Sequence, residues 1–369
     1  MPIYMDVHIV PGVKAREVAK AHQRDLLLED QFGCKCMTYW VDEHRETIFC
    51  LVDAASKDAV TELHSKAHGM VPNKIIEVSS SVVQSFLGRI YDPELAMNED
   101  GVKVFAEASY RFLVFIRTED PVLLAHRLGP AGASELISRY IQSVQRNCQR
   151  YGGAEAEHKK EGVVLSFSSA GKAIDCAQAL LRDLSYTDRE MLSIRAAING
   201  GEPVSNSNEL FGDTLSAAGS LALITPLNHV ALSVPVNELV LKDKTRPYPA
   251  LFFSLQPQEE DFLFSFYSIV EEKWQESCFD VPEYARAMAM SQSQLYRKAV
   301  AVTGESCNTL LKNYRLEKAK ALLRKRKYTV AQVTFDCGFT SPSYFTKCFK
   351  AQYGLLPNTY MNMTAGQVC

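Results

Sequence analysis

The sequence contains no stretch of about 18 apolar residues without charges, and such a stretch is the usual signature of a membrane-spanning helix. The first ten residues also lack the basic segment and apolar run of a secretory leader. We therefore expect a cytoplasmic protein with no membrane partner. Ten cysteines are scattered along the 369 residues, and in that compartment they are expected to be reduced thiols.

Charge is distributed unevenly along the chain. The formal net charge is −3, but residues 281–350 contain thirteen Lys or Arg and four Asp or Glu, a net of +9. The remainder therefore carries −12. A basic module on an acidic body is the electrostatic pattern expected of a DNA-binding protein.

The pattern of elements predicts a multidomain protein. Residues 1–80 follow the order strand, helix, strand, strand, helix, strand, which is typical of an α+β ferredoxin-like domain. Residues 109–241 mix strands and helices as an α/β domain, and residues 262–362 are entirely helical. Breaker residues at 81–108 and 242–261 predict a connector and a linker.

Two helix pairs in the all-α segment have the features of helix-turn-helix units. In the first pair, Ser291 precedes a helix and Gln294 follows three residues later, which is the arrangement of a capping box. In the second pair, Ser341 precedes a helix that begins with Pro342. One long helix is predicted between the pairs, over Thr309–Lys327.

The candidate DNA-contacting residues are of two kinds. Side chains on the exposed faces of the two second helices are expected to contact base edges, and the basic end of the long helix is expected to hold phosphates. The base-reading candidates are Gln292, Ser293, Tyr296, Arg297, Ser343, Thr346, Lys347 and Lys350. The phosphate candidates are Arg324 and Arg326.

These segments resemble the AraC/XylS family of transcription regulators. Arg315–Leu323 is similar to the linker helix of that family, and Cys337–Phe345 with Tyr353–Pro357 is similar to its second motif. The resemblance covers about 262–362. It implies two reading helices in successive major grooves of double-stranded promoter DNA, about 34 Å apart, in a regulator that acts with RNA polymerase.

Histidine is concentrated near the N-terminus, where five of the eight lie within the first 68 residues. His64 and His68 are four residues apart on a predicted helix, so both imidazoles share one face, as a metal pair requires. His8, His22 and Cys50 are secondary candidates. Imidazole with thiolate or carboxylate suits nickel, zinc or copper. The alternative is that these side chains only pack or lie on the surface.

The first strand sets a limit on that site. Asp6 and His8 share one face, opposite the apolar Met5 and Val7. Because helices usually cover the apolar face, we expect His8 not to reach His64 within one protomer.

A second resemblance concerns residues 1–80. Met5–His8, Ala21–Leu26, Tyr39–Asp42, Phe49–Leu51 and His64–Gly69 resemble a small ferredoxin-like family that has been linked to nickel binding. The resemblance implies a bound divalent metal and does not fix which residues are its ligands.

In the middle segment, the sequence pattern predicts a strand over 111–117, then one long helix to about Arg150, and a final strand over 229–234.

This middle segment resembles a class III nucleotidyl cyclase domain, on the stretches Arg195–Val204 and Phe211–Ser220. Active cyclases hold two metal ions with two aspartates. Those positions here are occupied by Arg117 and Glu161, and the asparagine and arginine of the family fall on Ser216 and Ser220. We therefore expect a non-catalytic, cyclase-like domain that serves dimerisation or ligand sensing.

Together these patterns predict a non-enzymatic, homodimeric one-component sensor, in which a metal ion or small ligand alters how the C-terminal module binds DNA. Two alternatives come from other classes of protein. One is a nucleotidyl cyclase with a regulatory DNA-binding tail, and the other is a metal buffer or chaperone.

Overall fold

The computed structural model describes residues 1–94, 102–105, 107–156, 162–185, 192–243 and 249–364. The chain forms two compact units and passes between them several times. The first unit contains Met1–Arg117, Ser143–Tyr186 and Arg195–Phe253, and the second contains Thr118–Gln142, Thr187–Ile194 and Ser254–Cys369. Within the described residues, no helix is both long and apolar enough to cross a bilayer.

The N-terminal part of the first unit is a four-stranded antiparallel sheet with helices on one face. Its elements are β1 (Ile3–Ile9), α1 (Ala15–Leu28), β2 (Cys34–Asp42), β3 (Thr47–Ala54), α2 (Lys57–Ala67) and β4 (Lys74–Val78). The strand order is β2-β3-β1-β4. This succession of elements is the one that the sequence predicts.

The first strand is buried on both faces, and this overturns one expectation. Tyr4, on the same face as Asp6 and His8, packs against Val60 and Leu63 of α2. The helices therefore cover the face that carries the polar side chains. Met5, on the opposite face, is also fully buried. The expectation that the helices would cover the Met5 face is wrong, because apolar content does not mark the helix-covered side when both sides are covered.

The remainder of the first unit is built on a six-stranded mixed sheet of order β10-β9-β8-β5-β7-β6. The β5 and β7 strands are antiparallel, whereas β8 and β9 are parallel. The elements, with α4 shared between the units, are α3 (Ser80–Leu87), β5 (Arg111–Thr118), α4 (Pro121–Arg150), β6 (Ala154–Glu155), β7 (Val163–Phe167), α5 (Ala170–Ser185), β8 (Ile194–Gly201), α6 (Gly212–Ile224), β9 (His229–Leu232), α7 (Val234–Lys242) and β10 (Phe252–Ser254).

Several element boundaries differ from the sequence-based expectation. The long helix to Arg150 is interrupted at Gly129, with φ 78° and ψ 161°, since Pro130 lacks the amide hydrogen that would continue the helix. The strand expected over 229–234 stops at Leu232, and α7 follows directly. The predicted connector contains α3, and the predicted linker contains β10 and the start of the next helix.

A lysine ties the two sheets of the first unit together. Lys74 Nζ, at the start of β4, donates hydrogen bonds of 2.6 to 2.7 Å to the backbone carbonyls of Ser205, Asn206 and Ser207, which follow β8. Nearby, the Arg45 guanidinium lies 3.8 Å from the centre of the Tyr110 ring. The N-terminal sheet is therefore attached by polar contacts to the loop between β8 and α6.

The C-terminal part of the second unit is helical, as predicted. Its elements are α8 (Pro257–Lys273), α9 (Val281–Ala287), α10 (Gln292–Thr303), α11 (Cys307–Arg324), α12 (Val330–Asp336), α13 (Pro342–Tyr353) and α14 (Pro357–Met363). The connecting helix α11 ends at Arg324, three residues before its predicted end. Arg326 has φ 52°, a left-handed conformation that cannot continue a right-handed helix.

Candidate metal centre and nucleic-acid interface

A cluster of buried polar side chains lies between the N-terminal sheet and its two helices. Strand β1 contributes Asp6 and His8, and the antiparallel register places Asp6 directly opposite Cys50 of β3. The remaining members come from the covering helices: Asp25 from α1, and His64 with His68 from the end of α2.

His64 is at the centre of this cluster. Its Nε2 atom lies 3.0 Å from Asp6 Oδ2. Its Nδ1 atom lies 3.2 Å from Asp25 Oδ1 and 3.1 Å from His68 Nε2. His8 is close by, with Nε2 3.2 Å from Asp6 Oδ1 and its ring centre 5.1 Å from that of His64. The four-residue spacing of His64 and His68 thus brings both rings to one place.

The charges of this cluster are strongly coupled. Burial lowers the pKa of His64, but the carboxylates of Asp6 and Asp25 outweigh it and raise that pKa to about 10. Burial raises the pKa of Asp6, but the nearby histidines lower it by more than burial raises it. The pKa therefore lies below its ordinary value, and Asp6 stays ionised. Burial and the same two carboxylates raise the pKa of the Cys50 thiol well above its ordinary value. When His64 is protonated, its Nε2–H faces Asp6 and its Nδ1–H faces Asp25, so the imidazolium donates one hydrogen bond to each carboxylate.

The donor set fits a transition-metal ion. One ligand atom from each of Asp6, His8, Cys50 and His64 lies within 4.8 Å of the others, and Asp25, His64 and His68 form a second such group. His8 Nδ1 is buried and has no hydrogen-bond partner among the described residues. A cavity of about 10 Å³ is lined by four of these side chains, His8, Asp25, Cys50 and His68, and has room for one water or one ion. Mixed nitrogen, oxygen and sulfur donors suit nickel, zinc or copper.

The predicted metal candidates have different locations. The structure brings together His8, Cys50, His64 and His68. The expectation that His8 would not reach His64 is therefore wrong, because the helices cover the face of β1 that carries His8. His22 borders the same cavity, but its Nε2 atom lies 3.2 Å from Asp92 Oδ2.

Sequence reasoning did not select Asp25 as a ligand candidate. The available signal was a carboxylate on the buried stripe of α1, three residues after His22, where an apolar side chain is the usual occupant.

The first candidate reading helix, α10, has the predicted cap. Ser291 Oγ accepts a hydrogen bond from the Gln294 amide at 3.2 Å, and Gln294 Oε1 accepts one from the Ser291 amide at 3.0 Å. Leu295 and Ala299 are completely buried and anchor the helix. The predicted reading residues on its other faces are exposed: Gln292, Ser293, Tyr296 and Arg297.

The second candidate reading helix, α13, is built in the same way. Ser341 Oγ accepts a hydrogen bond from the Tyr344 amide at 3.3 Å, and Pro342 occupies the first turn. Phe345 and Phe349 are completely buried. Of its predicted reading residues, three are exposed and one is half-buried: Ser343, Lys347 and Lys350, and then Thr346.

The two phosphate candidates differ in their surroundings. Arg326 is exposed. Arg324 is half-buried, with Nε donating to Tyr360 Oη at 2.9 Å and Nη2 paired with the Asp120 carboxylate. The phosphate role predicted for Arg324 therefore requires its guanidinium to leave Asp120.

The cyclase-like positions of the middle segment lie on β5 and α6. Arg117, which the resemblance assigns to a metal-binding carboxylate of active cyclases, is near the end of β5. Ser216 and Ser220 lie on α6, and Ser220 Oγ donates to the Ser216 carbonyl at 2.9 Å. Glu161 lies outside the described residues. Of the two expected metal-binding positions, the described one thus has a side chain of the wrong charge.

Two families match parts of this chain. Residues 284–363 match the helix-turn-helix domain family, and residues 4–78 match the family described as nickel responsive protein SCO4226-like. The first match confirms the predicted helix-turn-helix module. The second confirms the predicted resemblance of the N-terminal domain.

Individual relatives share single segments with this chain. The HTH-type transcriptional regulator MtrA of Neisseria gonorrhoeae is 32% identical over 90 residues, covering 24% of this chain and 28% of MtrA. The structure of SCO4226 from Streptomyces coelicolor A3(2) is 34% identical, covering 21% of this chain and 98% of SCO4226, with a TM-score of 0.21. An adenylate/guanylate cyclase/hydrolase from Silicibacter pomeroyi is 17% identical, covering 38% of this chain and 84% of the cyclase, with a TM-score of 0.33. The chain spans 8% to 44% of the length of the first curated relatives that it matches.

Proposed function

We propose that this chain is a one-component transcription regulator that binds double-stranded promoter DNA through α10 and α13. The observation that carries the proposal is the repeated construction of these two helices. Each is capped by a serine, anchored by two buried residues four positions apart, and exposed on its polar faces. The similarity of residues 284–363 to helix-turn-helix domains supports the same conclusion.

The signal that we propose is a divalent transition metal bound by the N-terminal, ferredoxin-like domain, residues 1–80. His64 with His68, Asp6, His8, Cys50 and Asp25 would hold it. Nickel is the ion suggested by the similarity of residues 4–78, and zinc and copper suit the same donors. When bound, the cation would supply beside Asp6 and Asp25 the positive charge that a protonated His64 otherwise supplies there.

The remaining segments have supporting roles in this proposal. Residues 109–241 form a cyclase-like domain without catalytic activity, which serves dimerisation of a homodimer. Residues 81–108 and 242–261 connect the domains, and residues 262–362 bind DNA. The homodimer acts in the cytoplasm, together with RNA polymerase.

Selection of bound fragments from the genomic DNA of the source organism tests this function. The full-length protein is incubated with sheared DNA, with and without Ni²⁺, and bound fragments are sequenced. We expect enriched sites with two short elements about one helical turn apart, and a change in occupancy with metal that corresponds to about 1–3 kcal/mol. Recovery of fragments without any shared sequence would contradict specific promoter binding.

A further inference from the structure

Asp120 lies between β5 and α4 and belongs to the second unit. Its Oδ1 atom accepts a hydrogen bond from the Val122 amide at 2.9 Å and so caps α4. Its Oδ2 atom accepts a hydrogen bond of 2.8 Å from Tyr360 Oη and is paired with Arg324. The Asp120 side chain is 2% exposed, which makes this a desolvated ion pair in the DNA-binding part of the unit.

Apolar packing accompanies the ion pair. Val122 is 2% exposed and belongs to the same hydrophobic cluster as Leu316 and Leu323 of α11 and Phe345 and Phe349 of α13. The first turn of α4 is therefore docked on α11 and α13 by one carboxylate and two apolar side chains, Val122 and the partly buried Leu123. The break at Gly129 separates this docked segment from the rest of α4.

Asp120 has two cationic partners: the buried Lys320, with Nζ 3.4 Å from Oδ2, and Arg324, where the basic run begins. Lys325, Arg326 and Lys327 are exposed and available to phosphates, whereas the guanidinium of Arg324 is taken up by Asp120 and Tyr360. A single guanidinium edge bonds either the carboxylate or a phosphate, because both ligands need the same N–H groups.

We propose that Asp120 is an internal competitor of DNA phosphate, and that undocking of the first turn of α4 is required before Arg324 contacts DNA. The inference rests on the proposed DNA-binding function. Only Thr118 and Glu119 separate Asp120 from Arg117, where a segment of the first unit ends. A rearrangement of β5 therefore displaces Asp120 directly, because the two are adjacent in the chain.

The test compares Asp120→Asn with Glu135→Gln in the full-length protein. Both substitutions remove one negative charge from the same stretch of chain, but Glu135 is exposed and pairs with Arg139, one helical turn away. Binding to a 30-base-pair duplex of arbitrary sequence is measured by fluorescence anisotropy across a salt series. One additional phosphate contact should tighten binding by roughly five- to tenfold at about 0.1 M salt and steepen the slope of log K against log salt by about 0.9.

We expect that gain in Asp120→Asn, no change of slope in Glu135→Gln, and loss of the gain in Asp120→Asn/Arg324→Gln. Equal binding by Asp120→Asn and Glu135→Gln would overturn the competition. If circular dichroism shows that Asp120→Asn does not fold, Asp120→Ser, which keeps a capping oxygen, replaces it in the comparison of DNA binding with Glu135→Gln. If the wild-type protein binds no duplex at any salt concentration, the proposed function itself is wrong. If the wild type binds and neither Asp120 variant gains affinity, only the competition is wrong.

Discussion

His64 Nε2 and Asp6 Oδ2 are 3.0 Å apart, and both side chains are 1% exposed. The pair joins the second helix to the first strand across 58 positions of sequence. Such a buried pair is costly to break from one side, since the remaining group is left without a partner away from water. The cluster of buried histidines and carboxylates is therefore also a structural junction of the N-terminal domain.

Removal of the histidine pair should abolish strong metal binding. Loss of a group that only supports a ligand costs about 10- to 100-fold in affinity, so His64→Ala/His68→Ala should lose more than that. Calorimetric titration with Ni²⁺, Zn²⁺ and Cu²⁺ measures the effect. His44→Ala removes an exposed histidine and serves as the control. Unchanged affinity of the double variant for all three ions would show that the pair is not a site.

Asp25→Asn should also weaken metal binding, by about tenfold or more, because Asp25 faces both histidines of α2 at 3.2 to 3.3 Å. The same titration applies. Glu17→Gln is the matched control, since Glu17 lies on the same helix but is exposed. If the two variants bind equally well, Asp25 neither binds the ion nor orients its ligands.

Substitutions on the reading helices should separate sequence recognition from phosphate binding. Arg297→Ala or Lys347→Ala should cost about 1–3 kcal/mol on a selected site if the side chain makes a bidentate base contact, and much less on arbitrary DNA. Arg326→Ala should weaken binding to all duplexes alike and reduce the salt slope by about 1. Arg24→Ala, an exposed change in the N-terminal domain, controls for charge. Identical losses on both kinds of DNA would remove the base-reading assignment.

Incubation with ATP or GTP and Mg²⁺ or Mn²⁺ should yield no cyclic nucleotide above background. The reason is that the cyclase resemblance assigns Arg117, a positive charge, to a position where active cyclases hold a metal ion. Chromatography of the nucleotides measures the product. Turnover that disappears in Glu161→Gln would establish the alternative, a cyclase with a DNA-binding tail.

The stabilisation provided by Asp120 should depend on pH. Burial raises the pKa of Asp120, but Lys320, Arg324 and Tyr360 lower it below its ordinary value. A lowered pKa in the folded protein means that the ionised form stabilises the fold above about pH 4, and that this contribution is lost as the pH falls through the lowered pKa. The difference in urea midpoint between wild type and Asp120→Asn should therefore be largest near neutral pH and shrink in acid. A difference independent of pH would mean that the charge is not the cause.

Local patterns were sufficient to predict much of the fold. Capping serines and buried anchors four positions apart predict α10 and α13 because those features depend on neighbouring residues only. The pairing of His64 and His68 is predictable for the same reason.

Long-range packing was not predictable in this way. Both faces of β1 are buried by residues that are distant in the sequence. The alternation within the strand therefore indicates the wrong face as the helix-covered one, and with it the wrong surroundings for His8. The engagement of Arg324 joins positions 204 residues apart, and no local pattern indicates it.

The contact of Lys74 with three consecutive carbonyls has a consequence for how this protein tolerates change. Every acceptor belongs to the main chain, so the attachment does not depend on which side chains occupy positions 205–207. Substitutions at positions 205–207 preserve these hydrogen bonds as long as the backbone conformation of the loop is unchanged. These three hydrogen bonds depend on one ammonium group, so a single substitution of Lys74 removes all of them at once.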